Sequence, residues 1–336
     1  MANCNKLFLD FNDELKITSS KIEKMKKARE NIKNKIIDHF KQKTKYDFIG
    51  TYMQGSYRTK TVIRTKDDVC DLDLGIYFKK IDTGVSTAAV LDQVYKAVED
   101  VTSIQPSKKS KCVRVYYKGD FHIDLPVYHF NKEEHDHPQL ANRYNGWEES
   151  DPKDFTKWFN KHENLKQLKR ITRYLKAWSN NTEGKYPSGL AFTIWTCNKL
   201  TTNERDDIAL YELLKEIKSS IESSWYVEMP VVPYDDVCSK LTDQQKDNFL
   251  DAISDFIEDA DRALKSKNQL EASEIWQKYF GDRFPDGADE DIDAKEVALN
   301  RIAANIMSST AYTQKDGSIT ENVDGVKNKP HRNFGG

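Results

Sequence analysis

Val69-Cys70-Asp71-Leu72-Asp73-Leu74-Gly75-Ile76-Tyr77-Phe78 alternates polar and apolar residues with a period of two, the pattern of a β-strand with one buried face. Successive side chains of a strand point to opposite faces, so Asp71 and Asp73 project together while Leu72 and Leu74 turn to the core. Phe121-His122-Ile123-Asp124-Leu125 obeys the same rule and presents Asp124. If the two strands are neighbours, three carboxylates converge on one rim of a sheet. Like charges so placed repel one another, and a fold rarely assembles them without a cation. Hard oxygen ligands suit Mg²⁺ or Mn²⁺, which keep some water and share a substrate's phosphates. Two such ions activate an attacking hydroxyl and stabilise a leaving pyrophosphate, so the nucleophile belongs to the substrate. Asp71, Asp73 and Asp124 are the candidate catalytic and metal-ligating residues.

Upstream, Tyr46 to Met53 reads as a short strand that stops at Gly55-Ser56. Gly permits close backbone approach, a helix starting there aims N–H donors at phosphate oxygens, and Ser56 adds a hydroxyl. Before it, Asp13 to Lys43 carries apolar residues at helical spacing, with Thr18, Ser19 and Ser20 placed to start or kink the helix. Downstream, Ser86 to Val101 is helical. Strands 112–117 and 121–130 are joined by a hairpin turn at Lys118-Gly119-Asp120. From about Asp154 the pattern becomes helical, over 155–178, 188–200, 205–223, 242–265 and 271–280. The expected fold is α+β. Residues 1–150 form a catalytic lobe with a long N-terminal spine helix, and residues 151–307 a helical lobe. The boundary falls in the Pro- and Gly-bearing stretch 137–152. One more helix is expected over 295–307, and residues 308–336 are too polar to fold alone and read as a flexible tail.

Hydrophobic residues make up 38% and charged residues 32% of the 336, a soluble composition, and the formal net charge is −2. That balance argues against a long duplex nucleic acid as partner, since counterion release needs a basic stripe. There is no apolar run of membrane-spanning length and no secretory pattern at the start, so no membrane and a cytoplasmic location are expected. The 5 cysteines form no Cys-x-x-Cys pair and read as reduced thiols. No Walker A sequence and no Gly-x-Ser-x-Gly elbow is present. His129, His135 and His137 are close in sequence, but a loop near a lobe boundary explains them more simply than a metal site. Asp289-x-Asp291-x-Asp293 is not a calcium loop, because Ala294 and Asn300 replace the turn glycine and the closing Glu.

The ordered set of strand, Gly55-Ser56, Asp71-x-Asp73 and Asp124 resembles the polymerase-β-like nucleotidyltransferase superfamily. Within it, the long first helix with "MQGSYRTKTVIR", "CDLDLGIYF" and "FHIDLPVY" is similar to the cGAS/DncV-like nucleotidyltransferases of bacterial CBASS anti-phage systems. "LKRITRYLKAW", "YPSGLAFTIW" and "ALKSKNQLEASEIWQKYFGDRFP" extend the resemblance to residues 10–285. It implies a nucleotidyltransferase lobe and a helical lobe around a central cleft. It implies an enzyme that joins nucleoside triphosphates (ATP, GTP or others) into a cyclic di- or trinucleotide, whose product activates an effector protein in defence signalling. Linear oligonucleotide synthesis, or nucleotidylation of a protein or RNA, would use the same carboxylates.

Carried over by position, Asp71 and Asp73 hold both metal ions, Asp124 binds the ion that activates the acceptor hydroxyl, and Gly55 and Ser56 hold the donor's phosphates. Lys176 and Ser188 resemble residues that clamp the donor triphosphate. Independently, Arg170 (or Lys169), Arg173 and Lys176 recur at helical spacing as one cationic face, with Arg173 the weaker candidate. The zinc-binding His and Cys cluster of the animal DNA-sensing enzyme has no equivalent here. The tail ends Arg332-Asn333-Phe334-Gly335-Gly336. In many such operons a ubiquitin-transfer-like ligase couples this C-terminus to targets, which makes the Gly336 carboxylate a candidate conjugation site.

Overall fold

The computed structural model describes residues 2–328 except Lys185, Asp291 and Asn322, and only the backbone of residues 292–296. In chain order the elements are α1 (Asn5–Leu15), α2 (Ser19–Phe40), β1 (Tyr46–Gln54), α3 (Gly55–Thr59), β2 (Cys70–Ile81), α4 (Thr87–Val98), β3 (Ser107–Lys108), β4 (Cys112–Tyr117), β5 (Phe121–His129), β6 (Gln139–Asn142) and β7 (Gly146–Glu149). There follow α5 (Pro152–Asn160), α6 (Leu165–Asn181), α7 (Gly189–Lys199), α8 (Asp206–Ser223), α9 (Asp243–Lys265), α10 (Gln269–Phe280) and α11 (Ile292–Met307), then β8 (Tyr312–Thr313), β9 (Ile319–Thr320) and β10 (Val326–Lys327). No helix among the described residues is long and apolar enough to cross a membrane.

The main sheet runs β1-β2-β5-β4-β3, with β6 on β5 and β7 on β6. β2 and β5 are parallel neighbours, and every other pair is antiparallel. Alternation sorts the two faces. Leu72, Leu74, Ile76 and Phe78 of β2 and Phe121, Ile123, Leu125 and Val127 of β5 are buried against Met25, Ile32 and Ile36 of α2 and Val90, Leu91 and Val94 of α4. The opposite face carries Asp71 and Asp73 on β2 and Asp124 on β5.

A second core joins helices α6 to α10. The apolar side of α1 belongs to it: Phe8 packs edge-on against Tyr174 at 5.1 Å, Trp276 at 4.9 Å and Phe284 at 5.0 Å. The helix expected over 13–43 starts at Thr18, one of the two roles its sequence allowed, and an unexpected helix, α1, precedes it. Thr18 caps α2 by accepting from the Lys21 amide, and the break lets α1 face the helical core while α2 faces the sheet. This is the helix-start chemistry of threonine.

Three other expectations differ from the structure. The stretch read as a boundary, 137–152, contains the short strands β6 and β7, too brief to show a period. The helix expected over 155–178 breaks between α5 and α6, where Asn164 adopts a left-handed φ of 51°. Beyond Ser308, where an unfolded tail is expected, β8, β9 and β10 pair antiparallel. This small sheet is made by turn chemistry rather than by a core: Gly317 has φ 84°, and Asp316 accepts from the Ser318 amide and hydroxyl. Arg301 of α11 adds a bidentate pair with Glu321, 2.6 Å at each oxygen. All five thiols are free. Gly336 lies outside the described residues.

Candidate active site

Register brings the aspartates together. Asp73 stands opposite Asp124 in the parallel pair β2–β5, and Asp71 stands opposite His122, 3.3 Å from its Nδ1. On the other side of β2, Gln54, the last residue of β1, pairs with Asp73, and the chain turns directly into the one-turn helix α3. Gly55 makes that turn with φ 62°, and a Cβ there would lie 2.1 Å from Asp73 Oδ2. Glycine is required twice, for the left-handed backbone and for the space the carboxylate occupies. Gly55, Ser56, Asp71, Asp73, Asp124 and Lys176 line one cavity of about 490 Å³ between the sheet and the helical lobe.

Charge in this cavity is unbalanced. Burial, then Asp124 and Asp71, pushes the Asp73 carboxyl up to about 7. Asp124 gives both oxygens to Arg114, with Nε–Oδ1 and Nη2–Oδ2 at 2.7 Å each. The ligand oxygens of Asp71, Asp73 and Asp124 do not all come within 4.8 Å of one another. The donor set nonetheless fits a hard divalent cation: it is all oxygen, and a carboxylate held by one arginine fork retains free lone pairs.

From the helical lobe, Lys176 donates to Thr61 at the hydroxyl (3.0 Å) and the carbonyl (3.2 Å). Burial, then Arg173, lowers its ammonium to about 7, with Asp73 opposing. Gly189 leaves room for the lysine stem, since a Cβ there would lie 3.1 Å from Lys176 Cε. Ser188 is the N-cap of α7, accepting from the Ala191 amide at 3.2 Å. It lines the adjoining cavity of about 590 Å³ rather than the one holding the aspartates.

The expected cationic face of α6 is divided. Arg170 pairs with buried Asp206, at 2.5 Å through Nε, and Arg173 is buried, donating to Asn12 Oδ1 at 2.6 Å and to the Lys60 carbonyl at 2.5 Å. Arg173 does not line the aspartate cavity. It acts on the loop between α3 and β2, which Lys176, Asn180 (accepting from the Lys66 amide at 2.8 Å) and Arg283 (donating to the Arg64 carbonyl at 2.8 Å) also hold.

Sequence reading missed Arg114, although the signal was present. The hairpin at Lys118-Gly119-Asp120 sets a register in which Arg114 and Asp124 are cross-strand partners. It also missed Tyr128, whose hydroxyl receives the Gln54 amide at 2.9 Å on the same face.

A mixed sheet carrying paired aspartates beside a Gly-Ser helical turn, closed by a helical lobe, is the architecture of a polymerase-β-like nucleotidyltransferase. Residues 1–163 match the Second Messenger Oligonucleotide or Dinucleotide Synthetase domain, SMODS. The Vibrio cholerae DncV cyclic AMP-GMP synthase, a prokaryotic cGAS homolog, superposes with a TM-score of 0.73 at 18% identity, over 85% of this chain and 98% of that one. The Escherichia coli DncV bound to 3'-deoxy GTP gives 0.65 at 20%, over 81% and 93%. Among curated sequences, a cyclic GMP-AMP synthase of Escherichia albertii is 27% identical over 220 residues, 59% of this chain and 48% of that protein. A c-di-GMP synthase of Roseivirga ehrenbergii is 30% identical over 118 residues, 33% and 31% respectively. The chain thus spans about half the length of the first of these relatives and less of the second. Residues 1–163 carry a SMODS-type domain, and the chain as a whole has the fold of the DncV structures.

A consequence of the Asp73 environment is testable by titration. A metal ion held by Asp73 would have to displace the proton that this carboxyl holds below about 7. Affinity for Mg²⁺ is therefore expected to fall by up to about tenfold per pH unit below 7 and to level off above it. Calorimetry at pH 6 in buffers of different ionisation enthalpy is expected to show proton release on binding. An affinity constant across this range would contradict the assignment.

Proposed function

We propose that this chain is a metal-dependent nucleotidyltransferase that makes a cyclic di- or trinucleotide second messenger from nucleoside triphosphates, releasing pyrophosphate, in anti-phage (CBASS) signalling in the bacterial cytoplasm. The observation that carries this reading is the in-register pairing of Asp73 with Asp124, beside Asp71 and the glycine-made turn at Gly55. In it, Asp71 and Asp73 hold two Mg²⁺ (or Mn²⁺) ions and Asp124 holds the one beside the acceptor. When bound, these ions supply Lewis-acid activation of the acceptor hydroxyl and charge stabilisation at the leaving pyrophosphate.

The chain's own residues orient the reactants. The α3 amides and the Ser56 hydroxyl receive donor phosphate oxygens. Lys176, held on Thr61 at the opposite wall, reaches the same triphosphate, and the anion favours its charged form. Ser188 at the head of α7 extends the contact from the adjoining cavity. Arg173 positions the loop carrying Thr61. Arg114 fixes the Asp124 carboxylate and tempers its charge. A product-activated effector protein and a ubiquitin-transfer-like ligase complete the proposed partners.

Labelled ATP, GTP, CTP and UTP with Mg²⁺ or Mn²⁺ are expected to yield a phosphatase-resistant product with the mass of a cyclic di- or trinucleotide. A phosphatase-sensitive product would replace this reading with linear synthesis. Label appearing on protein would replace it with nucleotidylation of an acceptor, and consumption of no nucleotide would count against both.

A further inference from the structure

The three histidines near the end of β5 separate into two clusters, which differ in how their carboxylates are held. His129, Glu134 and His135 each offer a ligand atom, all within 4.8 Å of one another; His137, Asp151 and Asp154 form the other such group. In the second group both carboxylates are engaged. Asp151 caps α5 by accepting from the amides of Lys153 and Asp154 at 3.0 Å, and Asp154 pairs with Lys157 at 2.8 Å. A cation there would share Asp151 with a helix cap and Asp154 with a lysine. In the first group no ion pair among the described residues engages Glu134.

The first group is also oriented from behind. His129 stands at the end of β5 with Nε2 3.2 Å from the Lys79 carbonyl, an acceptor that places the proton on Nε2 and leaves the Nδ1 lone pair free. Burial and the neighbouring His135 hold this imidazole toward its neutral, ligating form. The turn 131–135 is closed by the Glu134 and His135 amides donating to the Asn131 carbonyl at 3.0 and 2.8 Å. The Asn131 side-chain amide donates to Glu134 Oε1 at 2.7 Å and leaves Oε2 free. Among the described residues, the only bond to the His135 ring that ligation would exchange is a long one, 3.4 Å from the Asn131 amide to Nδ1. The two rings meet edge to face at 4.8 Å, and the site opens on a groove lined in part by His129, Asn131 and Glu134.

We propose that His129, Glu134 and His135 form a second metal site that takes a zinc-class divalent ion. Two imidazoles and a carboxylate leave one tetrahedral position to water, and nitrogen donors select Zn²⁺ over the Mg²⁺ that suits the aspartate cavity. The ion ties the β5–β6 turn to the end of β5. The proposal is independent of the reaction assigned to the aspartates.

The test uses the full chain in excess Mg²⁺, so that oxygen-only sites are saturated. Zn²⁺ titrated calorimetrically is expected to bind at one equivalent and to raise the melting temperature. Co²⁺ in its place is expected to give a visible d–d spectrum of nitrogen and oxygen ligation. His135→Ala is expected to weaken Zn²⁺ binding at least about 100-fold, and the exposed substitution Glu134→Gln, which leaves the fold untouched, is expected to weaken it also. His137→Ala is expected to change nothing. No zinc binding by the wild-type chain would overturn the site. So would binding indifferent to His135→Ala and Glu134→Gln, or binding lost in His137→Ala.

Discussion

Asp73→Asn is expected to lower nucleotide consumption at least about a thousandfold, a loss of about 4 kcal/mol of transition-state stabilisation, while leaving the fold intact. The substitution is nearly isosteric, so Leu72 and Leu74 keep their packing and β2 keeps its register with β5. What changes is charge. Asp73 is partly buried and pressed by Asp124 and Asp71. An amide in its place relieves repulsion in the metal-free protein and removes the anionic ligand that the divalent ion needs. Two readouts should therefore move in opposite senses. The melting temperature without metal is expected to stay the same or rise, and the increase on adding Mg²⁺ is expected to shrink, because a ligand stabilises only what it binds. Asp71→Asn, at the exposed rim, is expected to show the activity loss with a smaller effect on metal-free stability. Full activity in both variants would remove the metal mechanism.

The parts of this molecule that could be read in advance are those fixed by short-range geometry. Period-two alternation put Asp71 and Asp73 on one face, and the glycine in Lys118-Gly119-Asp120 marked the β4–β5 hairpin. The structure supplies the neighbour relation of β2 and β5, which depends on pairing across a crossover that local pattern does not encode. Arg173 shows the opposite case. Helical spacing grouped it with Arg170 and Lys176, but spacing says only which side of α6 a residue occupies, not what approaches that side. Tertiary packing brought Asp206 to Arg170, Asn12 and Lys60 to Arg173, and Thr61 to Lys176, so one stripe became three different contacts. The break between α1 and α2 was signalled by Thr18, yet its consequence, that the two helices serve different cores, follows from which apolar surfaces meet. The strands β6 to β10 are two to four residues long and held by pairing and turns, too short for periodicity to register.

Gly55→Ala is expected to reduce activity at least about 100-fold through displacement of Asp73, since a misplacement of about 1 Å at a reacting centre has effects of this order. Two strains are combined at this position. Holding a non-glycine residue in the left-handed region costs roughly 1–2 kcal/mol. In addition, the new Cβ would lie 2.1 Å from Oδ2 and 3.0 Å from Cγ of Asp73, so either the carboxylate rotates out of the cavity or α3 moves off the strand. Gly119→Ala separates the two effects. Gly119 has nearly the same φ, 68°, but nothing within 4 Å of its added Cβ. It carries the backbone strain alone. In denaturant titration Gly119→Ala is expected to lose about 1–2 kcal/mol of stability, the cost of one strained residue, Gly55→Ala at least as much, and only Gly55→Ala is expected to lose turnover and Mg²⁺ affinity. Equal activity in the two would mean that the position of the Asp73 carboxylate against α3 does not matter to the reaction. A loss confined to Gly55→Ala ties the glycine of the Gly-Ser turn to metal placement as well as to phosphate approach.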